Sequence, residues 1–378
     1  MKNKARIGLG LALAVLLAGC SSWGSSSAPK PQTIEMVAPL LGVQQAWTAR
    51  VGAGFKPPLA MQAKGRVVSL ASSDGQVLAL DSSSGQILWQ RALQEPLSAA
   101  IGFDGDTVAV VSANNELIVL QAGQEKWRQR LQATVFTPPL VAGGRVFVLA
   151  TDRSVQALDA ANGYRLWTQS PGTSSDSLVL QQAGVLAASG NSLLVGIHGR
   201  MVALQPDSGS VLWESALSIP RGTNEIERLV ELVAPISKHS GSVCARAFQS
   251  ALACLDTGSG RMAWSQKAQG VHGVAGDAQT VYGIESNGMV QAWGRNNGTL
   301  QWSSELLKHR KLSPPLLVGR SVVVGDHEGN LYFLSKTDGS LLNRLKTDDS
   351  GISAQPMLAE NTLVVTTVAG KIYGFRPE

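Results

Sequence analysis

Apolar residues in this chain fall in short runs separated by small or polar turns, and no stretch after the first twenty residues keeps a helical period. One representative unit begins Arg145-Val-Phe-Val-Leu-Ala150, turns near Asp152-Arg153, and returns as Ser154-Val-Gln-Ala-Leu-Asp159. Both runs are apolar or β-branched, so they read as two strands of a hairpin. Other copies place Asp74-Gly75 or Glu328-Gly329 at that turn, where glycine accepts a positive φ. A second turn carries Gly163, and Tyr164-Arg-Leu-Trp167 follows as a third strand. A proline heads the apolar run upstream in most copies (Pro58, Pro96, Pro139, Pro235, Pro315, Pro356), a residue tolerated at the first position of a strand. That run is the fourth strand.

The unit returns about every forty residues, so the fold must be argued from the repeat. Ala79-Leu80-Asp81 leads to Gly85 and Trp89, Ala157-Leu158-Asp159 to Gly163 and Trp167, and Cys254-Leu255-Asp256 to Gly260 and Trp264. The tryptophan position is held by Trp47, Trp89, Trp127, Trp167, Trp213, Trp264, Trp302 and finally Asn343. Four antiparallel strands per repeat make a propeller blade. The fold expected is therefore all-β: an eight-bladed β-propeller of four-stranded antiparallel blades. Discounting one weak copy would give seven. The last repeat runs out just past its third strand, at Gly374-Phe375, while Trp47 lies on a strand with no hairpin before it. The Trp47 strand is expected to complete the last blade and close the ring, which removes open sheet edges. The regularly spaced indoles are read as packing residues wedged between blades, with Asn343 marking a weaker junction.

The start of the chain has a different pattern. Lys2, Lys4 and Arg6 precede the apolar run Ile7 to Leu17, which is short for a membrane span. Leu17-Ala18-Gly19-Cys20 follows and resembles the lipobox of bacterial lipoproteins. The resemblance implies cleavage before Cys20, lipidation of Cys20 and stable membrane attachment. Ser21 after the cysteine resembles the outer-membrane sorting class. Ser- and Pro-rich sequence from Ser21 to Gln32 cannot bury a core and reads as a tether. The expected organisation is a signal peptide over 1–19, a lipidated cysteine and flexible tether over 20–44, and the propeller over 45–378.

Charge adds little. The 32 basic and 27 acidic residues give a formal net charge of +5. Removing Lys2, Lys4 and Arg6 leaves 29 against 27, or +2. No basic patch argues for nucleic acid. The five histidines (His198, His239, His272, His309, His327) are scattered, and none has ligand spacing to another. His198 falls in a hairpin turn and reads as solvated. Cys244 and Cys254 lie on the two strands of one hairpin in an oxidising compartment, so a bridge is open to them. With the turn at Gln249-Ser250, however, Cys254 faces Ala245, and the two sulfurs point to opposite faces.

The repeat resembles that of pyrroloquinoline-quinone (PQQ) dehydrogenases, which are also eight-bladed. That raises a periplasmic PQQ-dependent dehydrogenase-like quinoprotein as the alternative function. Those enzymes carry an adjacent Cys-Cys pair against the quinone and catalytic acids on inserted loops. Here no two cysteines are adjacent and the insertions are small. Neither a cofactor nor a catalytic residue is expected.

Two connections break the repeat. Trp213 to Trp264 spans 51 residues, with the excess in Arg221-Gly-Thr-Asn-Glu225-Ile-Glu227-Arg228-Leu229-Val-Glu231. Trp167 to Trp213 spans 46, with Ser177-Leu178-Val-Leu180-Gln181 as extra sequence. Both insertions join an outer strand to the next inner strand. They therefore belong on one rim, in consecutive blades, as one patch of leucines bordered by charge. The bland alternative is that the leucines pack on their own blade.

Lipobox, tether, repeat and Arg221-Gly-Thr-Asn-Glu-Ile-Glu-Arg-Leu229 together resemble the BamB family, the lipoprotein propellers of the β-barrel assembly machine of the outer membrane. The resemblance implies a non-catalytic scaffold at the periplasmic face of that membrane, which binds the periplasmic domains of the central barrel subunit, BamA. It also implies support for insertion of outer-membrane β-barrel proteins, and ring surface or strand edges offered to the unfolded substrates. The implied partner-binding residues are Leu178, Leu180, Gln181, Glu225, Glu227, Arg228 and Glu231. Gln181 stands where the family has arginine, and Val233 replaces a second acid.

Overall fold

The computed structural model describes residues 29–35, 38–51, 61–170, 178–219, 223 and 229–378. It contains eight four-stranded antiparallel sheets arranged as an eight-bladed propeller. Blade one takes Gln62–Lys64, Val67–Ala71, Gln76–Asp81 and Ile87–Ala92. Blades two to seven span 97–130, 140–169, 186–216, 232–267, 275–304 and 316–346. The eighth combines Met357–Ala359, Thr362–Thr366 and Lys371–Pro377 with Val43–Arg50, whose Trp47 pairs with Gly374. The N-terminal strand thus closes the ring. Its sheet shares a core with blades one and two, through Val364 and Ile372 against Leu70, Leu78 and Ile101.

Each middle strand is buried almost throughout, because both faces pack on neighbouring blades, whereas most outer strands are largely exposed. Pro96, Pro139, Pro315 and Pro356 stand immediately before their inner strands, as expected. Pro235 instead lies inside Leu232–His239, between Val233 and Ser237, where the register shifts and no ladder donor is required of it.

The tryptophans join blades through the glycine of the following repeat. Trp213 Nε1 donates to the Thr257 carbonyl at 3.0 Å, and its ring lies over Gly260. Gly260 has φ +69°, and a Cβ there would stand 2.4 Å from the ring, so only glycine suits the position. The ring contact recurs from Trp47 to Trp302, and the hydrogen bond accompanies it at both of these, to the Ser82 carbonyl at 2.8 Å and the Lys336 carbonyl at 2.9 Å. At the last junction Asn343 keeps only the hydrogen bond, from Nδ2 to the Leu41 carbonyl at 2.8 Å.

The cysteine register differs from the expectation. The turn occupies three residues, Phe248 to Ser250, between the paired Ala247 and Ala251, with Gln249 at φ +47°. One residue more in the loop sets Cys244 directly opposite Cys254, with Cα atoms 4.0 Å apart and the sulfurs bonded. Both cysteines are fully buried.

Candidate docking site

Up-and-down connectivity divides the loops between two rims. One rim carries the turns between second and third strands, together with the connections from each outer strand to the next blade. The two insertions belong to this rim, and the structure brings their described parts together around Arg153.

Arg153 occupies the turn of blade three, where its amide donates to the Ala150 carbonyl at 2.9 Å. Asp152 Oδ1 fixes the turn by accepting from the Ser154 amide at 3.0 Å. Blades one and seven place Gly75 and Gly329 at the corresponding position. Arg153 holds φ +66° there, a left-handed conformation that costs a non-glycine residue roughly 1–2 kcal/mol. Its side chain, only 9% exposed, turns inward over the rim. Nη2 meets Glu231 Oε1 at 3.0 Å and reaches the Leu178 carbonyl at 3.5 Å. Nε donates to His198 Nε2. His198 and Gly199, at φ +50° and +73°, form the two-residue turn of blade four between the paired Ile197 and Arg200. One guanidinium therefore ties together blade three, blade four and both insertions.

The first insertion is also held by its backbone. Gly184 bridges Val233 of blade five, and the Ala234 amide donates to the Ala183 carbonyl at 3.1 Å. Gly184 N donates to Thr137 Oγ1 at 3.1 Å, and Gln182 Nε2 to the Val271 carbonyl at 3.2 Å. Phe136, Leu149, Leu180, Glu231 and Val233 line one cleft beside Arg153.

Burial controls the electrostatics. It pushes the Glu231 carboxyl up, with Arg153 opposing that rise. Burial also pulls His198 down to about 4, assisted by the positive charges of Arg153 and Arg200. His198 is therefore neutral at pH 7, as an acceptor from Arg153 must be.

Among the expected contact residues, Leu178 is 45% exposed, Gln181 is exposed, and Leu180 faces the cleft half-buried. Glu231 is turned inward onto Arg153, its side chain 13% exposed. Its carboxylate shapes the cleft from beneath, which a reading as a surface acid would miss. Glu225, Glu227, Arg228 and Cys20 lie outside the described residues. Sequence reading missed Arg153 and misjudged His198, which is half-buried and hydrogen-bonded where a solvated turn was expected. The available signal was a bulky residue at a glycine position of the repeat. Ile219, 66% exposed on the second insertion, adds an apolar side chain to this rim. Among the described residues no cluster of three or more His, Cys, Asp or Glu could hold a metal ion.

A family model described as "Outer membrane protein assembly factor BamB" matches residues 73–304 and 286–378. The chain belongs to the BamB family. It is 36% identical to the outer membrane protein assembly factor BamB of Burkholderia pseudomallei, over 97% of this chain and 96% of that protein. With the BamB of Bordetella pertussis it shares 34% identity, over 94% and 93% of the two chains. The crystal structure of BamB from Moraxella catarrhalis superposes with a TM-score of 0.79 at 22% identity, covering 88% of this chain and 99% of that one. A quinohemoprotein alcohol dehydrogenase from Comamonas testosteroni superposes with a TM-score of 0.68 at 14% identity, covering 89% and 77%. At such identities the likeness carries the ring architecture alone.

Proposed function

We propose that this BamB-family chain is a non-catalytic scaffold of the outer-membrane β-barrel assembly complex. It binds the periplasmic domains of BamA through the rim formed by residues 178–184 and 229–233, and so supports insertion of β-barrel proteins. Lipidated Cys20 holds it to the outer membrane on the periplasmic side. The observation that carries this reading is the convergence on Arg153: a half-exposed leucine, a leucine-lined cleft and a paired acid, contributed by two consecutive insertions. A site fixed by backbone bridges loses little entropy on docking, as a preformed protein interface requires.

The test is capture of BamA. Leu178→Glu with Leu180→Glu places two charges in the apolar part of the rim, and we expect BamA capture from solubilised membranes to fall at least tenfold with the thermal midpoint near parental. Parental capture by that folded variant would remove the rim from the interface. Gln181→Arg is expected to strengthen capture, since it adds a cation beside the same cleft.

A further inference from the structure

The chain before the ring offers a second set of contacts that the docking rim does not use. Gln32 and Ile34 are seated against the junction of blades six and seven. Ile34 is 7% exposed and packs in the cluster of Tyr282, Ile284, Leu307 and Leu312. Arg310 Nη2 donates to the Gln32 carbonyl at 3.0 Å. That arginine is already fixed from beneath. Asp326 Oδ2 lies 3.1 Å from its Nη1, Glu328 Oε2 lies 2.8 Å away, and the guanidinium lies over the Tyr332 ring at 5.8 Å. Its side chain is 8% exposed. A second foothold lies at the opposite rim. The Leu40 amide donates to the Leu342 carbonyl at 2.8 Å, Arg320 Nη2 donates to the Leu40 carbonyl at 2.5 Å, and Asn343 donates to Leu41. The two footholds lie on opposite rims, and each holds to blade seven.

We propose that this double attachment turns the start of the chain into a strut, which delivers the lipid tether to the docking rim and sets that rim toward the membrane. The membrane half of the proposal rests on the reading of Cys20 as the anchor. Arg310 lies on the connection between blades six and seven, the same class of connection as the two insertions, so the chain leaves the ring at Gln32 on their rim. Twelve residue steps separate Gln32 from Cys20, a reach of at most about 43 Å. Were the chain free back to Val43, twenty-three steps would allow about 83 Å, and either rim could face the lipid. The partner surface implied is a lipid headgroup layer held close to the rim that carries Leu178 and Arg153.

The experiment uses the mature lipoprotein on phospholipid vesicles. With Cys20 lipidated and Cys244 bridged to Cys254, nitroxides attach only at introduced thiols. Thr33→Cys and Ala113→Cys place one label on the strut and one on a docking-rim turn across the ring. We expect a single narrow distance between them. Ile34→Asp should broaden it, toward the spread of about 17 Å of a free ten-residue segment, while the Arg310–Asp326 pair beneath stays intact. A broad distribution in the parent protein would overturn the strut. Energy transfer to a headgroup acceptor should be stronger from a dye on Ala113→Cys than on Glu360→Cys of the opposite rim; equal or reversed transfer would overturn the orientation. Protein that fails to float with vesicles would defeat the anchor reading and with it the membrane half, while the spin-label distance would still decide the strut.

Discussion

The turn of blade one and the turn of blade three are built to the same plan and put to different use. In blade one the amide of Gly75 donates to the Ser72 carbonyl, and the left-handed residue has no side chain. In blade three the amide of Arg153 makes the same bond to Ala150, and the left-handed residue carries a long cation that reaches Glu231, His198 and Leu178. The first turn closes its hairpin and accepts backbone bonds from Leu93 and from Leu97 of blade two, with no side chain from its left-handed residue. The second accepts backbone strain and gains a connection among three blades. Strain retained against an available glycine marks a position held for more than folding. Repeat-conforming positions join blade to blade, and departures from the repeat build the rim proposed for docking.

Variants can separate the two roles. The largest effect is expected at a repeat position. Trp302→Ala removes the indole over Gly339 and its hydrogen bond to Lys336, and should cost about 3–5 kcal/mol by denaturant unfolding. BamA capture below the melting range should be unchanged, and a selective loss of capture would break the division. Arg153→Met should cost less, about 2–3 kcal/mol, because it leaves Glu231 mostly buried without its cation. Capture should nevertheless fall strongly. Glu231→Gln in the same chain should recover part of the stability, a coupling that a double-mutant cycle reads directly. Asn343→Ala, at the junction without an indole, should cost only about 1 kcal/mol, the worth of one hydrogen bond.

The smallest effect is a pH dependence. His198 is held at about 4 against an ordinary 6.5. Above pH 6.5 it is neutral in folded and unfolded chains alike, and its packing is fully stabilising. As pH falls from 6.5 toward 4, the unfolded chain binds a proton that the folded rim resists, so stability declines across that window. Glu231 has the opposite sign: its raised carboxyl takes up a proton more readily in the folded rim than in the unfolded chain, which offsets part of that loss. Because the His198 contribution falls in this window, protection of the Leu178 to Gly184 amides, taken relative to the slower intrinsic exchange at low pH, should be weaker at pH 5 than at pH 7.5. His198→Gln should flatten that response.

Much of this architecture is legible in the sequence because the repeat is strict. Spacing of glycine and tryptophan fixes eight units, the missing outer strand after Phe375 implies closure by the Trp47 strand, and the phase of the two insertions places Leu180 and Glu231 on one rim. What stays hidden depends on single residues. Whether the loop is Gln249-Ser250 or Phe248-Gln249-Ser250 decides whether Cys254 faces Ala245 or Cys244, and those three residues carry no glycine to declare it. The inward turn of Arg153 is set by tertiary neighbours, as is the burial of Ile34 in a stretch whose composition reads as linker. Local pattern has no access to such long-range partners.

Closure of the ring by Val43–Arg50 against Lys371–Pro377 carries a temporal consequence. Val43–Arg50 finds its ladder on Lys371–Pro377, far along the chain, so it waits unpaired until that strand has been made. A chain stopped before Lys371 would lack the ladder that Trp47 joins and would leave naked strands at both ends of an open arc. Completion of the wheel is thus a built-in check: only a polypeptide that carries both strands closes the arc.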